Sequence, residues 1–487
     1  MENRSYLLRS TVIAALGGLL FGFDASVING TTRALEATFQ LSKLSLGFTV
    51  ASALIGTILG AIVVGRPADR FGRRAVLIWV AVLYFVSAVG SAFPWDWYSL
   101  LFFRFIGGIG IGGASVVSPM YIAEISPARI RGRLVAVTQF NIVFGILLAF
   151  MSNYVIGRCE LGDAEWRWMF GVEAFPAAAF FFLLFLTPQG PRWLVSQNRI
   201  DEAREELTRL GTDAGSVERE IQEIQASLDM GRHTFEEAFF SKTYLKPILL
   251  VVALAMFNQL SGINAVLFYA TSIFEMAGAG KNAALLQGVV VSAVNMIVTM
   301  AAMAVIDHFG RKKLMIVGSI GYIVSLATIA GAFYVYDQEF RASMTAAGML
   351  AEANSATTAD TSAVASAQSA VDHAAAAART GGMVVLVSLL VFIASHAFGQ
   401  GAVIWVFISE IFPNRVRARG QALGSFTHWF MCALIAWTFP VIAEESGGYA
   451  FAFYAVMMVL QLLWVLFFMP ETKGVPLEEI QKRLGIE

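Results

Sequence analysis

An acidic residue, Asp24, interrupts the first long apolar stretch of the chain, which runs from Thr11 to Gly30. A charged side chain near the centre of a bilayer costs roughly 2.5–3.5 kcal/mol on insertion scales, and acids kept there usually serve a proton or ion pathway. A carboxylate at a water-facing helix end would avoid this cost, but the apolar stretch continues beyond Asp24. The position therefore favours a functional acid within a membrane helix.

The composition indicates that many further helices cross the membrane. Of the 487 residues, 57% are hydrophobic and 14% are charged, and the mean hydropathy is +0.67, whereas soluble domains carry about 25% charged residues. Each crossing needs about 20 mostly apolar residues, which predicts an all-α membrane protein. The twelve expected spans are 8–31, 46–65, 76–94, 99–122, 134–156, 169–187, 246–273, 284–306, 314–335, 383–409, 421–442 and 449–469.

Several function classes are disfavoured by the residues present. The net charge of −1 argues against nucleic-acid binding. Cys159 and Cys432 lie far apart and match no metal-ligand spacing. No nucleophile–base constellation stands out, so we expect neither an enzyme nor a bound cofactor or metal ion. Membrane lipid is the expected surrounding, and no obligate protein partner is evident.

The distribution of basic residues predicts the orientation. Most of the 34 Lys and Arg residues lie in the N-terminal segment, the even-numbered loops and the C-terminal segment. Cytoplasmic loops carry the excess of basic residues. Both termini are therefore expected in the cytoplasm.

Two charged motifs occur twice, in the same order. Asp69–Arg74 returns as Asp307–Lys312, and Glu124–Arg131 returns as Glu410–Arg417. Such a repeat indicates two related halves, which is a common transporter design. The expected domains are an N-terminal bundle 1–190, a cytoplasmic helical linker 191–245, a C-terminal bundle 246–469 with a periplasmic insertion 338–382, and a cytoplasmic tail 470–487. In the insertion, 363–379 could form an Ala-rich helix, and the remainder is expected to be a flexible surface segment.

The repeated motifs place acids and arginines at the cytoplasmic membrane edge. Arg–carboxylate pairs there can hold two bundles shut on one side, although the same charges could merely set topology. The expected gate residues are Asp69, Arg73, Glu124, Arg131, Asp307, Arg311, Glu410 and Arg417.

Four motifs together resemble the sugar porter family of the major facilitator superfamily, over nearly the whole chain. They are 65–74, Gln259–Asn264, Pro188–Arg192 and Pro470–Gly474. Gln189 and Gly190 depart from the family's usual Glu and Ser. The resemblance implies twelve transmembrane helices in two pseudo-symmetric six-helix bundles, working by alternating access. Within the family, the chain resembles bacterial proton-coupled xylose and glucose symporters.

A sugar requires amide side chains, which donate and accept hydrogen bonds, and an aromatic platform for its apolar ring face. Buried amides can equally join helices to each other, but here they match the family's sugar-contacting positions. Ser261-Gly262 could break the helix that carries three of them. The expected substrate-binding residues are Phe21, Gln139, Asn258, Gln259, Asn264, Asn295, Trp405, His428 and Trp429.

Asn258, Phe268 and His428 depart from residues common in the family, which could alter the hydroxyls that are recognised. The resemblance also places Asp24 where proton-coupled members keep an acid and passive ones have Asn. Arg104 is then the expected counter-ion, and an Asp–Arg pair that opens and closes would change its proton affinity. A static buried pair is the alternative.

These patterns predict a proton-coupled symporter of a monosaccharide, a glucose-like hexose or xylose, in a bacterial inner membrane. Monosaccharide and protons are the expected partners. A passive sugar facilitator, a polyol or inositol porter, and a non-transporting sugar sensor remain alternatives.

Overall fold

The computed structural model describes residues 2–127, 130–212, 214–232, 239–355, 361–413, 416–473, 475, 477–484 and 486. Within these ranges, twelve helices are long and apolar enough to cross a membrane. They are α1 Ser5–Gly30, α2 Lys43–Val63, α3 Arg73–Ala92, α4 Trp97–Ile125, α5 Arg131–Gly157, α6 Gly162–Leu184, α7 Lys242–Met276, α8 Lys281–Val305, α9 Arg311–Val335, α10 Ser362–Glu410, α11 Arg417–Glu445 and α12 Gly447–Phe467. All twelve predicted spans are thereby confirmed, and so is the all-α fold of two six-helix bundles.

Small residues let helices within a bundle approach closely. A Cβ built on Gly56 of α2 would lie 2.2 Å from the carbonyl oxygen of Phe105, and one on Gly108 of α4 would lie 1.9 Å from that of Ala53. Because lipid supplies little hydrophobic force between helices, such close backbone packing is a main source of their association. The α2–α4 contact therefore depends on glycine.

Among the described spans, α6, α7 and α10 are not continuous α-helices, and α6 is interrupted at Val172-Glu173. In α7, Leu245–Leu260 and Ile263–Met276 are separated at Ser261-Gly262, where Gly262 has φ +83°. The expected break is confirmed there. In α10, a π-helical turn at Ala397–Gly401 precedes the final segment Ala402–Glu410. Broken spans expose backbone groups that can serve a binding site.

The insertion is helical rather than flexible wherever it is described. Asp337–Ser355 forms a helix that packs beside the first part of Thr361–His396, the helix with which α10 begins. The expected helix at 363–379 is thus part of a longer one. Ser343 in this hairpin donates to the carbonyl of Gly278 at 3.3 Å, just beyond α7. These two alanine-rich helices pack against each other, and composition alone did not predict this contact.

Where the connection between the bundles is described, it contains three α-helices, Pro191–Ser196, Ile200–Arg209 and Ala214–Arg232. We call the end of the molecule that carries the repeated charged motifs the motif end, and the opposite end, which carries the insertion 338–382, the insertion end.

Polar contacts between the bundles lie toward the insertion end in the described parts of the chain. The Asn29 side-chain oxygen accepts from the backbone N–H of Thr271 at 2.8 Å, and the Thr32 and Ser272 hydroxyls are 3.1 Å apart. Nearby, the Phe48 and Trp437 rings are 5.2 Å apart. The bundles are therefore joined at the insertion end.

Candidate functional site

Asp24 and Arg104 form a buried ion pair between α1 and α4. Arg104 Nη1 donates to Asp24 Oδ1, and Arg104 Nη2 donates to the Asp24 backbone carbonyl at 3.3 Å. Their side chains are 0% and 2% exposed. The Arg104 guanidinium also lies 5.4 Å from the centre of the Phe170 ring. The structure thus brings together the acid and the counter-ion that the sequence predicted as partners.

A third buried charged residue, Glu173 of α6, interacts electrostatically with both members of this pair. It is 2% exposed, and its Oε1, together with Asp24 Oδ2 and Arg104 Nε, has no hydrogen-bond partner among the described residues. Sequence reasoning missed Glu173. The signal was available, since Glu173 is the only acid in the predicted span 169–187, as Asp24 is in the predicted span 8–31. Two acids facing one arginine cannot all be ionised in an apolar interior without leaving a charge uncompensated.

A second cluster, formed by amides, lies at the break in α7. Gln259 is fully buried and donates to Asn258 Oδ1 at 2.9 Å. It accepts from Asn264 at 2.7 Å across the break. Gln259 and Asn264 are five positions apart and would not share a face of a regular helix. The helix break at Gly262 brings their side chains together. His428 of α11 also lies 3.3 Å from the Gln259 amide nitrogen.

An aromatic row extends from this cluster across the two bundles. The ring centres of Trp405 and His428 are 5.2 Å apart, those of His428 and Trp429 are 5.0 Å apart, and those of Trp429 and Phe21 are 5.7 Å apart. Phe21 belongs to α1, and the others belong to α10 and α11. Four predicted substrate-binding residues therefore form one row, which meets the amide cluster at His428.

Gln139 lies on the face of α5 that is turned toward the C-terminal bundle. It shares that face with Ile146 and Phe150 by helical spacing, and Phe150 packs beside Gly288 of α8. The Gln139 side chain is exposed, and Trp405 is 43% exposed. Asn295, in contrast, is buried and accepts from Thr299 of its own helix at 3.4 Å. No hydrogen bond between described residues joins Gln139 or Asn295 to the α7 amides.

The motif-end ion pairs each lie within a single bundle. Arg73 Nε is 2.7 Å from Glu124 Oε1, and Arg73 also pairs with exposed Asp69 at 3.0 Å. Arg311 pairs with Glu410 at 2.8 Å. In this conformation each of these pairs connects helices of one half and does not join the two bundles, so the gating role stays a prediction.

The remaining motif residues bind the loops of their own half. Arg131 donates to the Ser126 carbonyl and Arg417 to the Phe412 carbonyl, both at 3.4 Å. The side chain of Asp307 lies outside the described residues. Glu471, from the predicted 470–474 motif, accepts from the backbone N–H groups of Arg311 and Lys312 at 2.9 and 3.1 Å, and so caps the start of α9.

A family model described as sugar (and other) transporter matches residues 10–484. The chain belongs to the sugar transporter family. It is 36% identical over 518 aligned residues to the D-xylose-proton symporter of Escherichia coli (strain K12), with 98% of this chain and 96% of the relative covered. It is 34% identical over 490 residues to the glucose transport protein of Synechocystis sp., with 98% and 97% covered. The sequence-based resemblance is thereby confirmed.

The fold also matches solved structures of this family. The inward open conformation of the xylose transporter XylE from E. coli gives a TM-score of 0.79 at 35% identity, covering 98% of this chain and all of that one. The proton:xylose symporter XylE bound to 6-bromo-6-deoxy-D-glucose gives 0.74 at 36% identity, covering 99% and 100%. This family member is thus a multi-pass membrane protein with the major facilitator architecture.

Proposed function

We propose that this family member is a proton-coupled symporter of a monosaccharide, a glucose-like hexose or xylose, that works by alternating access. Relatives named as D-xylose-proton, arabinose-proton and glucose transport proteins support the substrate class. The observation that carries the proposal is the buried Asp24–Arg104 pair. A passive sugar pathway needs no ionisable pair at such a depth, whereas a proton carrier does.

The pair lies close to the aromatic row through α1. Asp24 follows Phe21 by three residues, which is about one helical turn, and Phe21 contacts Trp429. A movement of α1 that accompanies sugar binding would therefore reach the ion pair. Coupling requires only that the proton affinity of the site differ between the two conformations. Protonation of Asp24 on one side of the membrane would release Arg104, and re-formation of the pair on the other side would expel the proton.

The amide cluster and the aromatic row supply the groups that a sugar needs. Gln259, Asn264 and Asn258 can each donate and accept hydrogen bonds, and Trp405 offers an apolar ring face. In the present conformation these amides bind one another, which satisfies their polar groups without a ligand. A sugar would exchange those bonds for its own, with exposed Gln139 approaching from the other bundle.

We assign the motif end to the cytoplasm of a bacterial cell with the protein in the inner membrane, because basic residues crowd that end. Both termini are then cytoplasmic. The bundles are joined at the insertion end, so this conformation faces inward. The TM-score of 0.79 with the inward open conformation of XylE supports the same assignment.

In this proposal, the motif-end ion pairs stabilise the helix packing within each half while the two bundles move relative to each other. Arg73 and Glu124 are both about nine-tenths buried, and Arg311 is similarly buried against Glu410. Removing one partner of such a pair leaves an uncompensated charge. Gating would then arise from the movement of whole halves, with these charges setting the shape of the cytoplasmic end.

Counterflow in proteoliposomes tests the substrate. D-Xylose, D-glucose, L-arabinose and myo-inositol are each offered outside vesicles that are loaded with unlabelled sugar. Accumulation of xylose or glucose is expected. A response to inositol alone would instead favour a polyol porter, and no response to any sugar would favour a sensor.

Coupling is tested by the pH of the medium. Sugar added outside unbuffered vesicles should enter together with protons, and the medium should become alkaline. Sugar entry without alkalinisation would establish a passive facilitator. A protonophore serves as the control, since it should abolish the pH change without stopping downhill entry.

A further inference from the structure

We infer that two ion pairs at the insertion end, Arg33–Glu275 and Glu165–Lys281, form an outer latch that sets the balance between the inward- and outward-facing states. Arg33 Nη1 lies 3.4 Å from Glu275 Oε2, and Lys281 Nζ lies 2.7 Å from Glu165 Oε1. In each pair one partner belongs to the N-terminal bundle and the other to the C-terminal bundle. This inference rests on the proposed alternating access.

The acids of the latch are more buried than the bases. Glu275 and Glu165 are 16% and 10% exposed, whereas Arg33 and Lys281 are 65% and 55% exposed. Each bundle contributes one buried acid, and the other bundle contributes the cation that neutralises it. A buried carboxylate that loses its counter-ion must become hydrated or protonated. Separation of the bundles therefore carries a cost that the closed outer end avoids.

The C-terminal partners flank a short turn that the insertion holds in place. Glu275 lies in the last turn of α7, and Lys281 is the first residue of α8. Between them, Gly278 has φ +86°, and a Cβ there would lie 2.5 Å from the Ala378 side chain of the hairpin. Ser343 of the hairpin donates to the Gly278 carbonyl. The turn is thus fixed to the hairpin on one side and to the N-terminal bundle on the other.

The end of α7 also has a built-in bend. Tyr269 has φ −125° and ψ 17°, outside helical values, and its hydroxyl donates to the Ala436 carbonyl at 2.8 Å. The segment after this bend carries Thr271, Ser272 and Glu275, which supply the polar contacts to the N-terminal bundle. Movement of this segment alone would break these contacts together. The motif-end pairs cannot act this way, since they do not cross between bundles.

The test measures the conformation directly, without transport. Spin labels at Phe93→Cys and Tyr334→Cys, which are 72% and 87% exposed at the insertion end, report the separation of the two outer ends by pulsed electron paramagnetic resonance. The exposed native thiol is removed by Cys159→Ser. Glu275→Gln and Lys281→Gln should each raise the ratio of separated to closed outer ends, by up to about fivefold, the upper limit for partly exposed pairs.

A charge swap and a matched control make the result specific. Arg33→Glu combined with Glu275→Arg should restore the wild-type distance distribution. Arg341→Gln removes an ion pair with Asp337 at the same end but within the hairpin, and it should change nothing. Wild-type distances in both Gln variants, or no restoration by the swap, would overturn the latch.

Failure of the latch can be told apart from failure of the proposed function. If the wild type samples both outer distances and the single variants do not shift them, the latch alone is wrong. If the wild type shows a single outer distance with and without sugar over a range of pH, alternating access itself is wrong, and the latch falls with it.

Discussion

At the scale of single residues, the chemistry of this transporter concentrates where charge is buried without a matching charge. Asp24 and Glu173 both interact electrostatically with Arg104, and one polar atom of each of these three residues has no hydrogen-bond partner among the described residues. A site of two acids and one base is electrically neutral only when one acid holds a proton. The burial of this site is therefore a physical reason for proton binding, independent of family membership.

Asp24→Asn removes the titratable group and imitates its protonated form. Sugar exchange in counterflow should persist, because the amide cluster is untouched. Accumulation against a gradient, driven by an inward proton gradient, should fall to the level of empty vesicles. The measurement is labelled-sugar uptake with and without an imposed pH difference. Continued uphill accumulation by Asp24→Asn would mean that another group, with Glu173 the first to examine, carries the proton.

One difference between the two halves, Gly190 in the first and Thr472 in the second, predicts a substitution that stabilises the fold. In the C-terminal half, Thr472 Oγ1 donates to Glu410 at 2.6 Å. The corresponding position after Pro188 is Gly190, and Glu124 Oε2 has no hydrogen-bond partner among the described residues. A Cβ at Gly190 would lie 2.7 Å from that oxygen, which ends a flexible side chain. A serine at this position could supply the missing donor.

Gly190→Ser should accordingly raise stability by about 1 kcal/mol, the usual net value of a hydrogen bond. Thermal unfolding in detergent, followed by scanning fluorimetry, measures the change. Gly190→Ala is the matched control, since it adds the Cβ without the hydroxyl and should give no gain. Equal melting temperatures for the serine and alanine variants would contradict the assignment of the missing donor.

The sequence identified candidate functional residues more reliably than it identified the residues that they contact. Asp24 and Arg104 were recognisable because charge is rare in apolar spans, and Glu173 was recognisable on the same ground. The contacts of Arg73 and Arg311 were not predictable, because an arginine at the motif end is within reach of several acids in both halves. Only the packing of helices selects Glu124 and Glu410.

At the scale of elements, the break in α7 decides how the amides meet. Gly262 has a backbone conformation that costs other residues about 1–2 kcal/mol, and a Cβ there would lie 2.4 Å from the Tyr454 ring. Gly262→Ala should separate Gln259 from Asn264 and weaken sugar binding about 5- to 150-fold, as for a lost buried partner of ~1–3 kcal/mol.

Competition by unlabelled sugar in counterflow measures this affinity. Gly348→Ala, in the helix Asp337–Ser355, has no neighbouring atom within 4 Å of the new Cβ and should bind sugar as the wild type does. If Gly262→Ala also keeps wild-type affinity, the amide pairing across the break does not form part of the binding site.

The sequence predicted those helices and helix breaks that are determined by the residues within them. Spans follow from hydrophobic length, and the break at Gly262 follows from a glycine beside a serine among amides. The helix Asp337–Ser355 was not predicted, because its short apolar face gains stability only by packing on Thr361–His396. Helices of this kind depend more on tertiary contact than on propensity.

At the scale of the whole molecule, the relative position of the two bundles is the property furthest from the sequence. Both conformations of an alternating-access transporter must be stable, so their free energies differ by only a few kcal/mol. No single motif specifies one of them. The contacts between Asn29 and Thr271, and between Thr32 and Ser272, identify which end is joined, and they are visible only in three dimensions.

The proposed inward-facing state predicts from which side the proposed sugar site can be reached. Gln139 is exposed on the face of α5 turned toward the other bundle, and the bundles are joined at the insertion end. In a Cys159→Ser background, Gln139→Cys should react with a membrane-impermeant maleimide in inside-out vesicles and hardly at all in right-side-out vesicles. Cys432 is buried and should contribute little background. Tyr334→Cys, at the opposite end, should show the reverse preference. Labelling of Gln139→Cys mainly from the periplasmic side would show either that the resting molecule faces outward or that the assigned orientation is inverted, and the Tyr334→Cys control distinguishes the two.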